Sequence, residues 1–353
     1  MDIQDKNETI AQITYSSIRT NYLNAKTLTE FGFFNYFIMS EPETGDYLMA
    51  FNSPDFKKIF EFSGKEFIEK EFKDYTYLLD QKLGDKEWPI VLKASMAKYL
   101  PLFELKKKEI EKLSDEDKKK REEMFAELEK YAKETSEKFS KFRVQIYASV
   151  MDKMLLEVKE KKNPKLFSFF LNKDNLLHIL PSNDRIELIY GINFQQETDK
   201  SLAKIFLQEL EEAKRHVRNC LDAKVYVETS NIPQDITKVD QAKNYSNGLV
   251  VFDLFAKDYE QIKKKFFYFV NFRQYIQFHI HSIKTFLHIR MNRKGKEIEN
   301  KLSGCKIIPD EYIKELETLN FYVNWNKKEE QKKIFTSEVK EQKNNNIYYI
   351  FLV

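Results

Sequence analysis

The sequence predicts an α/β protein of the α+β type, arranged as two units and closed by one long C-terminal helix. Three observations predict it. Runs of aromatic and aliphatic residues are bounded by turn residues, as strands are. Between them lie stretches free of Gly and Pro, with apolar residues at helical spacing. Residues 104–141 form a third, densely charged zone of different composition. The chain has 353 residues, 42% hydrophobic and 33% charged, which suits two domains with cores of their own and excludes a disordered polymer. Its 30 Phe and 19 Tyr place much of the apolar area in rings.

In chain order, the first apolar block is residues 28–51, LTEFGFFNYFIMSEPETGDYLMAF. It is broken by Glu41-Pro42-Glu43 and Thr44-Gly45-Asp46 and reads as two strands joined by a turn. Asp55 to Leu79 mixes Lys and Glu with spaced aromatics and reads as helix. The charged zone 104–141 is rich in helix formers. Ser114, followed by Glu116 and Asp117, resembles a capping box. Met124, Leu128, Tyr131 and Ala132 form a thin apolar stripe. Two readings fit the zone: a solvated helical hairpin, or an arm that binds a partner. The stripe widens through Ile146, Val150, Met154 and Leu155, which predicts deeper burial there.

Lys159 to Pro164 is charged and ends in Pro, which places a domain boundary there. Asn172-Lys173-Asp174 and Pro181-Ser182-Asn183-Asp184 are turn chemistry. Ile186, Leu188, Tyr190, Ile192 and Phe194 alternate, five matches to a strand's period of two. A helix follows, with Leu202, Ile205, Phe206 and Leu210 on one face. Two further strands, AKVYVETS and NGLVVFDLFA, flank a polar loop containing Pro233. Residues 165–302 thus read β-β-α-β-β-α. The last helix is expected to start at Asp258, whose carboxylate would cap it, and to run to Leu302, roughly 65 Å at 1.5 Å per residue. It is apolar on two faces. Ile262, Phe266, Phe269, Ile276, Ile280, Ile283 and Leu287 define one; Tyr268, Phe272, Tyr275, Phe286 and Ile289 define the other. A helix of this kind buries both faces. The second is covered by a partner chain's helix or by the chain's own second domain.

Several function classes are disfavoured. The net charge of +3 gives no global field for nucleic acid. There is no phosphate loop and no GxGxxG. Cys220 and Cys305 are isolated, which argues against a zinc site or a disulfide framework and for a reducing compartment. His279 and His281 point to different faces of one helix and His288 lies two turns on, a poor metal set. Hence no catalytic residue, metal or cofactor is assigned. Residues 1–20 lack the apolar core of a secretory signal, and no stretch has the roughly 20 apolar residues of a membrane span. Lys263-Lys264-Lys265 and Arg290, Arg293, Lys294 and Lys296 lie beside aromatics. They read as a nucleic-acid surface, as snorkelling cations at a helix end, or as a patch for an anionic protein surface.

The segment NFRQYIQFHIHSIKTFLHIRMNRK, residues 271–294, resembles subunit 2 of the actin-related protein 2/3 complex. The resemblance rests on Phe272-Arg273, Tyr275, His279-Ile280, Lys284, Phe286-Leu287, His288 and Arg290-Met291. Residues 146–153, 184–215, 248–258 and, more faintly, 30–42 resemble further family segments in the same order. The resemblance implies two related domains, each an antiparallel sheet with flanking helices: residues 1–163, carrying the insertion at about 104–141, and residues 164–302, ending in the helix 258–302. It implies a non-catalytic scaffold without a cofactor, in a cytoplasmic and cytoskeletal setting. The implied partners are subunit 4, the two actin-related proteins and the actin filament, in branched actin nucleation, with no nucleic acid and no membrane span. Phe272, Tyr275, Phe286, Ile289, Ile276, Ile280 and Ile283 are the candidates for the partner-helix interface. Arg290, Arg293, Lys294, Lys296 and Lys301 are the candidates for filament contact. Residues 303–353, ending in the apolar run Ile347 to Val353, depart from the family, as does the long insertion. They motivate the alternative of a repurposed scaffold in a non-nucleating assembly, axonemal, ciliary or organellar.

Overall fold

The fold, a computed structural model, describes residues 5–104, 114–172, 175–194, 196–216, 223–226 and 248–304. The extension from residue 305, including Ile347 to Val353, lies outside them, as do residues 105–113 of the insertion, Cys220, Cys305 and the loop containing Pro233. The chain divides into two compact units, Met1–Asn193 with Tyr226–Tyr275, and Phe194–Val225 with Ile276–Val353.

The first unit holds the first sheet and most of the second. A helix α1 (Glu8–Thr20) precedes β1 (Lys26–Glu30), β2 (Phe34–Ser40) and β3 (Tyr47–Asn52). Two short helices, α2 (Phe56–Ile59) and α3 (Lys65–Glu71), join across a π turn and lead to β4 (Thr76–Leu83) and β5 (Lys86–Ala94). The sheet is antiparallel in the order β1-β2-β3-β5-β4. After α4 (Pro101–Glu104) comes the 45-residue helix α5 (Asp115–Lys159). The second sheet is built from β6 (Phe167–Asn172), β7 (Asn175–Pro181), β8 (Arg185–Gly191), β9 (Ala223–Tyr226) and β10 (Leu249–Phe255), in the order β6-β7-β8-β10-β9. Numbered within each sheet, both strand orders are 1-2-3-5-4. In both, helix joins the third strand to the fourth and a long helix follows the fifth. For the second sheet these are α6 (Glu197–His216) and, after a short helix α7 (Tyr259–Lys263), α8 (Phe266–Gly304). The two domains are thus related, each an antiparallel sheet with flanking helices.

Several sequence expectations are corrected. Residues 28–51 carry parts of three strands, because Phe31-Gly32 makes a turn of its own before Pro42. The helix expected over 55–79 ends at Glu71, and β4 begins at Thr76. The second half gains a strand, because Asn172–Asn175 and Pro181–Arg185 each close a hairpin. From Asp115 the charged zone is one continuous helix; the part of the expected hairpin over residues 105–113 lies outside the described residues. Ser114 caps that helix, accepting the Asp117 N–H at 3.2 Å and donating to its carboxylate at 2.6 Å.

The middle of α5 lies on the first sheet through edge and tilted ring contacts: Phe142 with Phe51 at 5.4 Å, Tyr147 with Phe34 at 5.6 Å and Phe139 with Tyr47 at 5.8 Å. Its C-terminal part reaches the second sheet, where Tyr147 meets Phe169 at 5.5 Å. Ile146, Val150, Met154 and Leu155 are fully buried, as their spacing predicts. A buried polar knot joins the parts. Arg143 donates twice to the Glu30 carboxylate, at 2.9 and 3.3 Å, and once to Asn271 at 2.9 Å; Tyr36 also donates to Glu30 at 2.8 Å. A paired, hydrogen-bonded charge of this kind is tolerated in a core, whereas a lone one is not.

The second unit's described residues are α6, Ala223–Val225 and the part of α8 from Ile276. Ala203, Phe206, Leu207 and Leu210 form the buried face of α6, while Ile205 is 56% exposed. The register is one position off the predicted stripe at that point.

Candidate partner surface on the last helix

The start of α8 is fixed by its own core. A 3-10 turn (Ala256–Asp258) and α7 precede it, and Asp258 makes no side-chain cap bond. The single helix expected from Asp258 is therefore broken at Lys264-Lys265, and α8 begins at Phe266. Phe266, Phe269, Val270 and Phe272 are buried. The Phe252 ring lies 5.3 Å from that of Phe269 and 4.7 Å from that of Phe272. Tyr190 donates its hydroxyl to the Phe269 carbonyl at 2.7 Å, and burial raises its pKa well above the ordinary tyrosine value. Arg273, also buried, donates to the Asn193 carbonyl at 3.1 Å.

In the second unit the helix first packs on α6. Ile276 and Ile280 are fully buried. The His279 ring stacks on Phe206 at 5.7 Å, and burial lowers its pKa. Lys284 donates to Asp199 at 2.9 Å and also to Gln196. From Thr285 to Asn300 every residue is exposed. Exposure there is not a matter of polarity: Phe286 is 62% exposed, Ile289 55% and Met291 68%, with Leu287 and Ile298 also open.

These side chains form two stripes. Tyr275, Phe278, Phe286 and Ile289 recur at steps compatible with one helix face. Ile276, Ile280, Ile283, Leu287, Met291 and Ile298 recur on another. The second stripe is buried as far as Ile280 and open beyond it. A contiguous exposed apolar face of this kind is the type of surface on which proteins associate.

Of the predicted interface residues, Phe272, Ile276 and Ile280 are covered within this chain, and Tyr275 is half-buried. Ile283, Phe286 and Ile289 are exposed. Phe278, Leu287, Met291 and Ile298 belong beside them; their three- and four-residue spacing was the available signal. Arg290, Arg293, Lys294 and Lys296 are exposed on the same stretch. Lys294 pairs with Glu297 at 3.2 Å. Lys301 is helical, and its side chain lies outside the described residues. Among the described residues no group of three His, Cys, Asp or Glu side chains is placed to hold a metal, and no helix is long and apolar enough to cross a membrane.

Comparison with known proteins agrees with this arrangement. The family described as "Arp2/3 complex, 34 kD subunit p34-Arc" matches residues 51–307, well over half of the chain. Actin-related protein 2/3 complex subunit 2 of Schizosaccharomyces pombe is 23% identical over 151 residues, covering 42% of this chain and 48% of that protein. The protein of the same name from Dictyostelium discoideum is 23% identical over 163 residues, covering 46% of this chain and 56% of its own length. The chain thus spans about half the length of these relatives. With the family match running from the end of β3 through the second sheet and α8, the chain belongs to the p34-Arc family of Arp2/3 complex subunits.

Proposed function

We propose that this chain is a non-catalytic scaffold subunit of an actin-related protein 2/3 complex, working in the cytoplasm at the actin cytoskeleton. It pairs with subunit 4 through the exposed part of α8, supports the two actin-related proteins, and lies against the side of the mother filament. The observation that carries the proposal is the uncovered apolar half of α8, centred on Phe286 and Ile289. A helix with this much open apolar area gains by association with another helix. Arg290, Arg293, Lys294, Lys296 and Lys301 are the cations that meet the anionic filament. In this reading the domains meet at Pro164, with residues 1–163 as the first and 164–302 as the second, and 303–353 as an extension.

Two experiments test it. Tagged purification from the native cell, with subunits identified by mass spectrometry, should recover two actin-related proteins together with subunit 4. Recovery of subunit 4 among unrelated proteins would favour a non-nucleating assembly instead. Arg293→Glu with Lys294→Glu should weaken filament side-binding and leave subunit 4 attached; unchanged branching would refute the filament contact.

A further inference from the structure

The open part of α8 carries two apolar stripes, and one partner helix covers one of them. At about 100° per residue, Leu287, Met291 and Ile298 lie roughly 150° round the helix from Phe286 and Ile289. The stripe through which a helix packs on one neighbour is only about 100° wide. Phe286 and Ile289 belong to the stripe that the proposed function gives to subunit 4. The stripe of Leu287, Met291 and Ile298 is equally exposed and has no occupant in that reading. Helical spacing puts Arg290 and Lys294 along its border. Over residues 285–300, four Lys and Arg stand against two carboxylates, Glu297 and Glu299.

The chain itself supplies a cover of matching length, pattern and charge. Residues 305–323 lie outside the described residues, and the properties of this segment are those of its sequence. Helix α8 ends at Gly304, and Pro309 follows, the order of a helix stop and a new helix start. A connection as short as 305–308 returns a helix antiparallel to the one before it. Asp310 and Glu311 would lie in the first turn, where negative charge is favoured. Tyr312, Ile313, Leu316, Leu319 and Val323 recur at steps of three and four, which makes a single apolar face. A helix over 309–323 is about 22 Å long, against about 24 Å for the open stretch of α8 from Thr285 to Asn300. Its carboxylates, Asp310, Glu311, Glu315 and Glu317, outnumber its one cation, Lys314, so its charge complements that of the open stretch. We infer that residues 309–323 fold back as a helix, antiparallel on α8, and cover the stripe of Leu287, Met291 and Ile298. Ile313 and Leu316 meet Ile298, while Leu319 and Val323 meet Met291 and Leu287. Phe286 and Ile289 are left free for a partner. Only the choice of stripe rests on the proposed pairing with subunit 4.

The test places photo-crosslinking p-benzoylphenylalanine at position 291 and, in a separate preparation, at position 289 of the full chain, alone and mixed with subunit 4. The expected result is a crosslink within one chain from 291 to a peptide of residues 309–323, with or without subunit 4, and a crosslink from 289 to subunit 4. Leu316→Asp with Leu319→Asp should lower the yield from 291 at least about tenfold, because two apolar side chains of the contact are lost. Thr318→Pro, which breaks a helix and keeps every apolar side chain, should do the same. A crosslink from 291 to subunit 4, to a second copy of the chain or to any other part of it overturns the inference. So does a yield that survives either variant, and so does the lack of any crosslink from 291. Failure of 289 to reach subunit 4, with 291 still attached to 309–323, defeats the pairing with subunit 4 and leaves the fold-back standing.

Discussion

Helices α5 and α8 occupy equivalent places in the two halves of the fold, each following the fifth strand of its sheet, yet they meet solvent in opposite ways. The open stretch of α5, Asp115 to Glu127, is almost wholly charged. Its one strongly exposed ring, Phe125, lies 6.5 Å from Phe103 and under the Arg121 guanidinium at 5.3 Å. Further along, exposed pairs such as Lys133 with Glu129 at 3.4 Å decorate the surface. Such exposed pairs are screened by water and add little stability. The open stretch of α8 keeps large apolar residues on two faces. Two helices of similar length and position therefore differ in what water asks of them. The first presents water with charge; the second presents it with exposed apolar side chains, which the proposed function covers with a partner.

The sharpest way to break this contrast is to shorten one ring on each helix. Phe142→Ala, within the core under α5, should destabilise the isolated chain by about 3–5 kcal/mol, from the lost ring and the cavity left behind. Phe286→Ala should stay within about 0.5 kcal/mol. Equal losses in urea unfolding would mean that α8 is already covered within the chain. A second test concerns pH. His178, on the strand β7 against which α5 packs, has its pKa lowered to about 4 by burial and by the nearby Lys58 charge. Below the ordinary value of 6.5 the unfolded chain takes up a proton that the folded chain refuses. Stability should therefore be full above that pH and fall by up to about 3 kcal/mol as pH drops towards 4. His178→Gln should flatten that slope, and an unchanged slope would place the acid sensitivity elsewhere. The smallest effect belongs to the solvated end of α5. Ser114→Ala removes its cap, worth about 1 kcal/mol, and should speed amide exchange in the first turns without moving the global unfolding midpoint.

Much of this contrast was legible in the sequence, for stated reasons. The alternation through Ile186, Leu188 and Tyr190 became β8, but the strand ends at Gly191, before Ile192 and Phe194. Ser114 became the cap, because few residues can accept a helix N-terminal N–H. The two stripes of α8 were visible as three- and four-residue steps. Other elements were hidden. β1 is Lys-Thr-Leu-Thr-Glu, an edge strand with little to bury. The hairpin of β4 and β5 has lost its alternation around Asp80, whose φ is +48°. The site was half legible. Spacing shows that Ile276, Ile280 and Ile283 share a face. It does not show that α6 ends its cover near Lys284, because that depends on where Asp199 and Phe206 come to rest on the helix.

On the proposed function, the open part of α8 is one half of an interface with subunit 4. The most direct measurement is co-expression of the full chain with subunit 4 from the same organism, followed by native mass determination, for wild type and for Phe286→Glu with Ile289→Glu. A one-to-one heterodimer is expected for wild type. For the double variant, separate subunits are expected, with the isolated chain unfolding at the wild-type midpoint. A double variant that pairs as well as wild type, or a wild-type chain that stays alone beside subunit 4, would contradict it.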